Sequence, residues 1–167
     1  MPGKGWTLAV IAFVTFSAMF TISVVGPLLG VLADVDRVPL GGNPNTSIGI
    51  IFALGGLSLA AFQIPFASLS DRFGRRKFIV AGSIAVGFFV LMLGYSKRIS
   101  EFLGLEVGGV GGWSGSTYLM AGFRFLQGAA AAATWPILMA LISSEFPAES
   151  MGTAMGVFGA SFGLGMA

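Results

Sequence analysis

Charged side chains cut this chain into long apolar stretches. The charge-free runs are residues 5–33, 38–70, 78–96, 107–123, 125–144 and 150–167, and Arg124 alone interrupts what would otherwise be one run. A helix needs roughly 20 mostly apolar residues to cross about 30 Å of hydrocarbon. The pattern therefore predicts five spanning helices, at about 6–33, 48–70, 78–95, 117–141 and 149–167. The runs are apolar on every face, whereas a membrane barrel alternates apolar and polar positions in segments of about ten residues, so strands are excluded. The first run follows Lys4 and carries small-residue cleavage chemistry at Val31-Leu32-Ala33. Signal cores are about 7–15 residues and this run is nearly twice the longest, so it is read as a retained helix. The expected fold class is an all-α integral membrane protein, a polytopic helical bundle.

Composition agrees. Of 167 residues, 55% are hydrophobic and 10% charged, against about 25% charged in soluble domains. There is no Cys and no His, which removes thiolate nucleophiles, disulfides, the usual general base and the commonest metal ligands. No metal site, no cofactor and no enzymatic activity are expected. The motif at Gly159-Ala160-Ser161-Phe162-Gly163 matches a hydrolase nucleophile pattern but has no His to activate its Ser. Gly152, Gly156, Gly159 and Gly163 instead form one small-residue stripe suited to helix packing. The net charge of +2 is too small to imply a nucleic-acid partner.

Charge placement says more than charge sum. With a cytoplasmic N-terminus, the inner side holds Lys4, Arg72, Arg75, Arg76 and Lys77, and the outer side Arg37, Lys97 and Arg98, the asymmetry expected of a plasma-membrane protein in that orientation. Trp6, Tyr95, Trp113 and Tyr118 fall at span ends, as interfacial aromatics do. The first outer loop, with Asp34, Asp36, Pro39, Gly41, Gly42, Pro44 and Asn45, is turn chemistry, and its Asn45-Thr46-Ser47 sequon is read as chance. The second, about 97–116, opens with the amphipathic stretch Ile99 to Leu103 and becomes Gly-rich from Gly104 to Gly115: a short interfacial helix, then a strap.

Two constellations carry candidate chemistry. The link Ala67-Ser68-Leu69-Ser70-Asp71-Arg72-Phe73-Gly74-Arg75-Arg76-Lys77 is short enough to force two antiparallel helices, with Gly74 supplying a left-handed turn conformation. A loop that merely sets topology would explain the basic cluster, but not the acid, the glycine and the basic pair at this spacing. On the fourth span, Arg124 lies within an apolar helix and shares a face with Gln127, Gly128, Ala131 and Trp135. An intramembrane charge is costly unless it faces protein or water, which makes Arg124 a functional candidate; snorkelling to the outer interface is the alternative.

The first segment resembles the signature of the major facilitator superfamily (MFS) in the loop between helices two and three, with Ala67 where the family has Gly. Arg124-Phe125-Leu126-Gln127-Gly128 with the later Pro136 is similar to the family's helix-four motif. Gly26-Pro27-Leu28-Leu29, Phe146-Pro147 and Gly152-Thr153-Ala154-Met155-Gly156 are weaker matches, and Met151 stands where the family has a basic residue. The resemblance implies the first five helices of an MFS N-terminal half, and membrane transport of a small solute by alternating access. It implies that Asp71, Arg72, Gly74, Arg75 and Arg76 form a cytoplasmic gate loop in which Asp71 accepts the helix dipole of another half. It further implies that Arg124, Gln127 and Gly128 serve the cavity or its coupling. Arg75 is expected to pair with Glu145 at the inner end of span four. Every carboxylate sits at a span end or in a loop, so no embedded acid is available to carry a proton. Expected partners are membrane lipid, a small-molecule substrate, and either the remaining transporter helices or another membrane subunit. A non-transporting subunit derived from such a transporter is the second reading. The abrupt end of the fifth span favours a truncated transporter.

Overall fold

The structure, a computed structural model, describes residues 4–34, 43–105 and 113–167. It consists of helices α1 (Lys4–Asp34), α2 (Pro44–Phe73), α3 (Arg75–Gly94), α4 (Ser96–Phe102), α5 (Gly115–Ala132), α6 (Trp135–Glu145) and α7 (Ala148–Met166). Expectations for Asp36, Arg37, Pro39, Gly41, Gly42, Glu106 and the middle of the Gly-rich strap lie outside the described residues.

Local chemistry sets several helix ends. The Asn43 side chain accepts from the N–H groups of Asn45 (3.1 Å) and Thr46 (3.5 Å), and so caps α2. Ser114 caps α5 by accepting from Thr117 N–H at 3.4 Å. Between α2 and α3 the whole turn is Gly74, at φ +100°, a backbone conformation that a side chain would strain. The fourth predicted span runs from Gly115 to Glu145 but is broken at Ala133 and Thr134, whose N–H groups turn back to Ala130 and Ala131 in tight i→i+3 bonds. Pro136 supplies the reason, because it has no N–H for the carbonyl four residues back and its ring crowds that carbonyl. Pro27 and Pro65 lie inside α1 and α2 without ending them.

Four helical stretches, at residues 5–31, 45–73, 75–94 and 115–145, are long and apolar enough to cross a membrane. The fifth predicted span, α7, has 19 residues but is not among them. Its glycines and Glu149 dilute its apolar content. The broken α5–α6 span is the centre of the bundle: 56% of its most apolar window is buried, against 22% in each of the other three. The α5 helix packs against α2 and α3, while α1 packs against α7 and α3.

The apolar core has a cluster near each end and a smaller one, Val86 with Ala130 and Ala131, where α3 packs on α5. Val25, Leu29, Ile51, Leu93 and Met120 fill the end where α2 and α5 begin. Ile11, Ile79, Ile137, Ile142 and Phe158 fill the end where α2 meets α3. Trp113 Nε1 donates to Ser47 Oγ at 3.0 Å and ties the starts of α2 and α5 together. The short helix expected near residues 99–103 is α4, with Ser96 and Ser100 fully buried and Phe102 90% exposed.

Candidate functional site

The hairpin at Gly74 gathers the charged residues at one end of the bundle. Asp71 occupies the last turn of α2 and Arg75 opens α3, so the two face each other across the turn, and Arg75 Nε donates to Asp71 Oδ1 at 2.9 Å. The same guanidinium reaches α6: Nη1 donates to the Ala140 carbonyl at 3.0 Å and to Ser144 Oγ at 3.3 Å. A cation near the C-terminal end of α6 is favoured by that helix's dipole. Glu145 is taken by Arg76, whose Nη2 donates to Oε1 at 3.2 Å. The expected Arg75–Glu145 pair is therefore corrected by one residue. Arg75, directly after the turn, points back to Asp71 and the α6 carbonyl, while Arg76 lies a further 100° around α3 and meets Glu145. Arg72 and Lys77 are exposed. Both ion pairs are substantially exposed and contribute little to stability. Their effect is to fix where the hairpin sits on α6.

The second group lies about 24 Å away along α2, counting the rise from Gly55 to Asp71. Arg124 is only 6% exposed. Its guanidinium lies against Gly55, where an added Cβ would stand 2.7 Å from Nε, and its Cζ is 5.0 Å from the centre of the Phe52 ring. A cation over an aromatic face in a dry setting is stabilised by the ring quadrupole. Arg124 Nη1 donates to Gln127 Oε1, one turn on. Arg124 Nε and Gln127 Nε2 are buried with no acceptor. The guanidinium thus turns toward α2 rather than snorkelling to the interface. No carboxylate among the described residues pairs with it.

Gly128 makes this approach possible, because a Cβ there would meet the Gly55 carbonyl and Ser58 Oγ. Ser58 Oγ donates to the Phe125 carbonyl at 2.5 Å, a hydrogen bond between two helices. Of the predicted face, Gln127, Gly128 and Ala131 are buried on the same side as Arg124, while Trp135 falls beyond the break and meets Phe162 of α7 in a tilted ring contact, with ring centres 5.0 Å apart. Sequence reading missed Phe52, Gly55 and Ser58. The signal available was a Gly-Gly pair followed by Ser58 inside an apolar run, a small-residue pattern for close approach.

The glycine stripe behaves differently from a packing seam within the bundle. Gly152, Gly156, Gly159 and Gly163 have nothing within 4 Å of an added Cβ and are exposed. The glycine of α7 that packs is Gly165, against the Phe16 carbonyl and Met19 of α1. Among the described residues, no group of three His, Cys, Asp or Glu could hold a metal ion.

A bundle of long apolar helices, with a charged hairpin at one end and a buried cation between two closely packed helices, is a polytopic integral membrane protein. The chain belongs to the major facilitator superfamily, which it matches over residues 8–167. It is 28% identical over 156 residues to an uncharacterized MFS-type transporter of Methanocaldococcus jannaschii, covering 93% of this chain and 34% of that one. It is 32% identical over 152 residues to the probable galactarate/D-glucarate transporter GudP of Pseudomonas putida, covering 90% of this chain and 29% of that one. It is also 34% identical over 125 residues to the inner membrane transport protein YajR of Escherichia coli, covering 75% and 23%. The chain therefore spans about a quarter to a third of the length of the curated relatives it matches. These relatives are named as transporters, and the family is not an enzymatic one. No solved structure is a significant match.

Proposed function

We infer that this chain supplies the first helices of a secondary transporter, with α7 as a fifth span, that moves a small solute across the plasma membrane by alternating access. The observation that carries the reading is Arg124, a buried cation whose neighbours are one amide and one aromatic face. A charge in hydrocarbon without a counter-ion is maintained at a cost of at least a few kcal/mol. Function accounts for it: the guanidinium attracts an anion, either a group of the substrate or a carboxylate brought by the remaining helices for coupling. A relative named for galactarate and D-glucarate, both sugar diacids, is consistent with the first option.

The hairpin serves as the cytoplasmic gate. Asp71 is bound by Arg75 through one carboxylate oxygen and is 60% exposed, so it remains accessible to a helix N-terminus from the remaining helices. The open glycine stripe of α7 offers those helices a surface for close packing. In this reading the N-terminus is cytoplasmic, on the same side as the hairpin.

The test is uptake into proteoliposomes across a panel of radiolabelled sugar acids and neutral sugars. Transport of an acidic solute that Arg124→Gln abolishes, with Asp71→Asn slowing it at equal protein density, is the expected result. Uptake unchanged by Arg124→Gln removes the residue from the cavity chemistry.

A further inference from the structure

We propose that the break in the fourth span forms, together with α2, a subsite for the hydroxylated part of the solute. The inference rests on the transporter reading above and adds to it the class of group that is bound. A hollow of about 250 Å³ lies between α2 and α6, lined by Leu59, Gln63, Trp135, Pro136 and Met139. Ligand sites between helices are mostly apolar with a few placed polar groups, and transporters build theirs where a spanning helix is interrupted. Trp135 and Pro136 open α6 directly after the interruption at Ala133 and Thr134, so the hollow sits at such a point. It is separate from Arg124: Gly55, on which the guanidinium rests, is about 12 Å away along α2, counting the rise to Gln63.

Gln63 carries the argument. It is the one side-chain amide of α2 beyond Asn45, and it lies about 7 Å from the helix midpoint. It is exposed, and among the described residues nothing hydrogen-bonds to it. An amide facing hydrocarbon at that depth is costly, so what covers it is polar. Trp135, whose ring rests against Phe162, leaves a second donor unanswered in the same wall, because its Nε1 is buried without an acceptor. Another helix is a poor cover: its backbone groups are bonded internally, leaving little to offer both the N–H groups and the carbonyl of an amide. A hydroxylated solute answers both, since each hydroxyl donates and accepts as the amide does. A carboxylate only accepts, and would leave the Gln63 carbonyl oxygen without a donor. Leu59, Trp135 and Met139 supply the apolar surface for the carbon chain that bears the hydroxyls.

The test places Gln63→Cys as the sole thiol of the reconstituted protein and adds a hydrophilic methanethiosulfonate reagent from water. Two pairs of probes match in charge and chain length and differ in their inner hydroxyls: glucarate against adipate, and sorbitol against 1,6-hexanediol. Position 63 should be labelled, and in at least one pair the hydroxylated member should slow labelling about fivefold while its counterpart does not. Absence of labelling, as a covering helix or lipid would cause, overturns the proposal, and so does equal protection, or none, from both members of each pair. In uptake, Gln63→Leu should raise KM for the hydroxylated solute about tenfold with little change in kcat, and Gln63→Asn should keep part of the affinity. The labelling result decides even where Gln63→Leu fails to insert. Uptake that Arg124→Gln abolishes but whose KM Gln63→Leu leaves unchanged retains the transporter reading and removes this subsite. Protection at position 63 in a protein that moves none of the solutes removes the transporter reading and retains the hydroxyl-binding site.

Discussion

Arg124 is held by shape and by an aromatic face, and among the described residues it has no ion pair. Burial without a counter-ion separates its stability role from its functional one. Replacing an uncompensated buried charge with an apolar side chain of similar length is neutral or stabilising. Arg124→Met is therefore expected to keep or raise the thermal midpoint in detergent while abolishing uptake. A midpoint that falls by several degrees would mark Arg124 as a structural residue. The neighbouring contacts predict the reverse pattern. Gly128→Ala drives a Cβ into the Gly55 carbonyl, a backbone atom that cannot step aside, at a cost of about 1–3 kcal/mol. Ser58→Ala deletes the bond to the Phe125 carbonyl and costs about 1 kcal/mol. Both read out as earlier loss of the monodisperse peak on heating. Arg124, Gln127 and Gly128 were legible in the sequence because the helical period alone places them on one face. Phe52, Gly55 and Ser58 were not, because knowing which helix packs against that face requires the tertiary contact.

Two breaks in helical regularity decide how the elements meet. Gly74 at φ +100° closes the hairpin with a single residue, and Gly74→Ala is expected to cost about 1–3 kcal/mol in backbone strain. The second break, before Pro136, separates α6 from α5, and it is α6 whose Ala140, Ser144 and Glu145 meet Arg75 and Arg76. Pro136→Ala restores a backbone donor and favours a straight α5–α6 helix, which would carry Glu145 away from the hairpin. The chain has no cysteine, so a disulfide between Arg76→Cys and Glu145→Cys reports that contact cleanly. Cross-linking is expected to be efficient with Pro136 present and strongly reduced in Pro136→Ala. The Gly74 turn was legible, since a short charged link between two apolar runs leaves few geometries. The partner of Glu145 was missed by one residue: the direction of each arginine depends on how α3 leaves the turn, and the spacing does not encode that angle.

At the scale of the whole molecule, the long apolar helices follow from hydropathy alone, while their neighbours do not. Burial of α5 between α2 and α3 comes from its alanines and Gly128, whose fitness for close packing looks in sequence like low hydrophobicity. The proposed orientation has a direct check. With Phe73→Cys and Phe102→Cys placed singly, an impermeant thiol reagent added to intact cells should label only position 102, and position 73 only after permeabilisation. Reversed labelling inverts the topology. The central place of the α5–α6 span also bears on how the protein is made. Its most apolar window is the least apolar of the four, with a mean hydropathy of 1.6 against 2.3 for the first, and it alone carries a charge more than two turns from either end. Such a segment partitions poorly into lipid by itself. During synthesis it should linger at the insertion machinery until α2, already in the bilayer, presents Gly55 and Phe52 to receive the guanidinium. Insertion of one helix thus waits on the prior arrival of another.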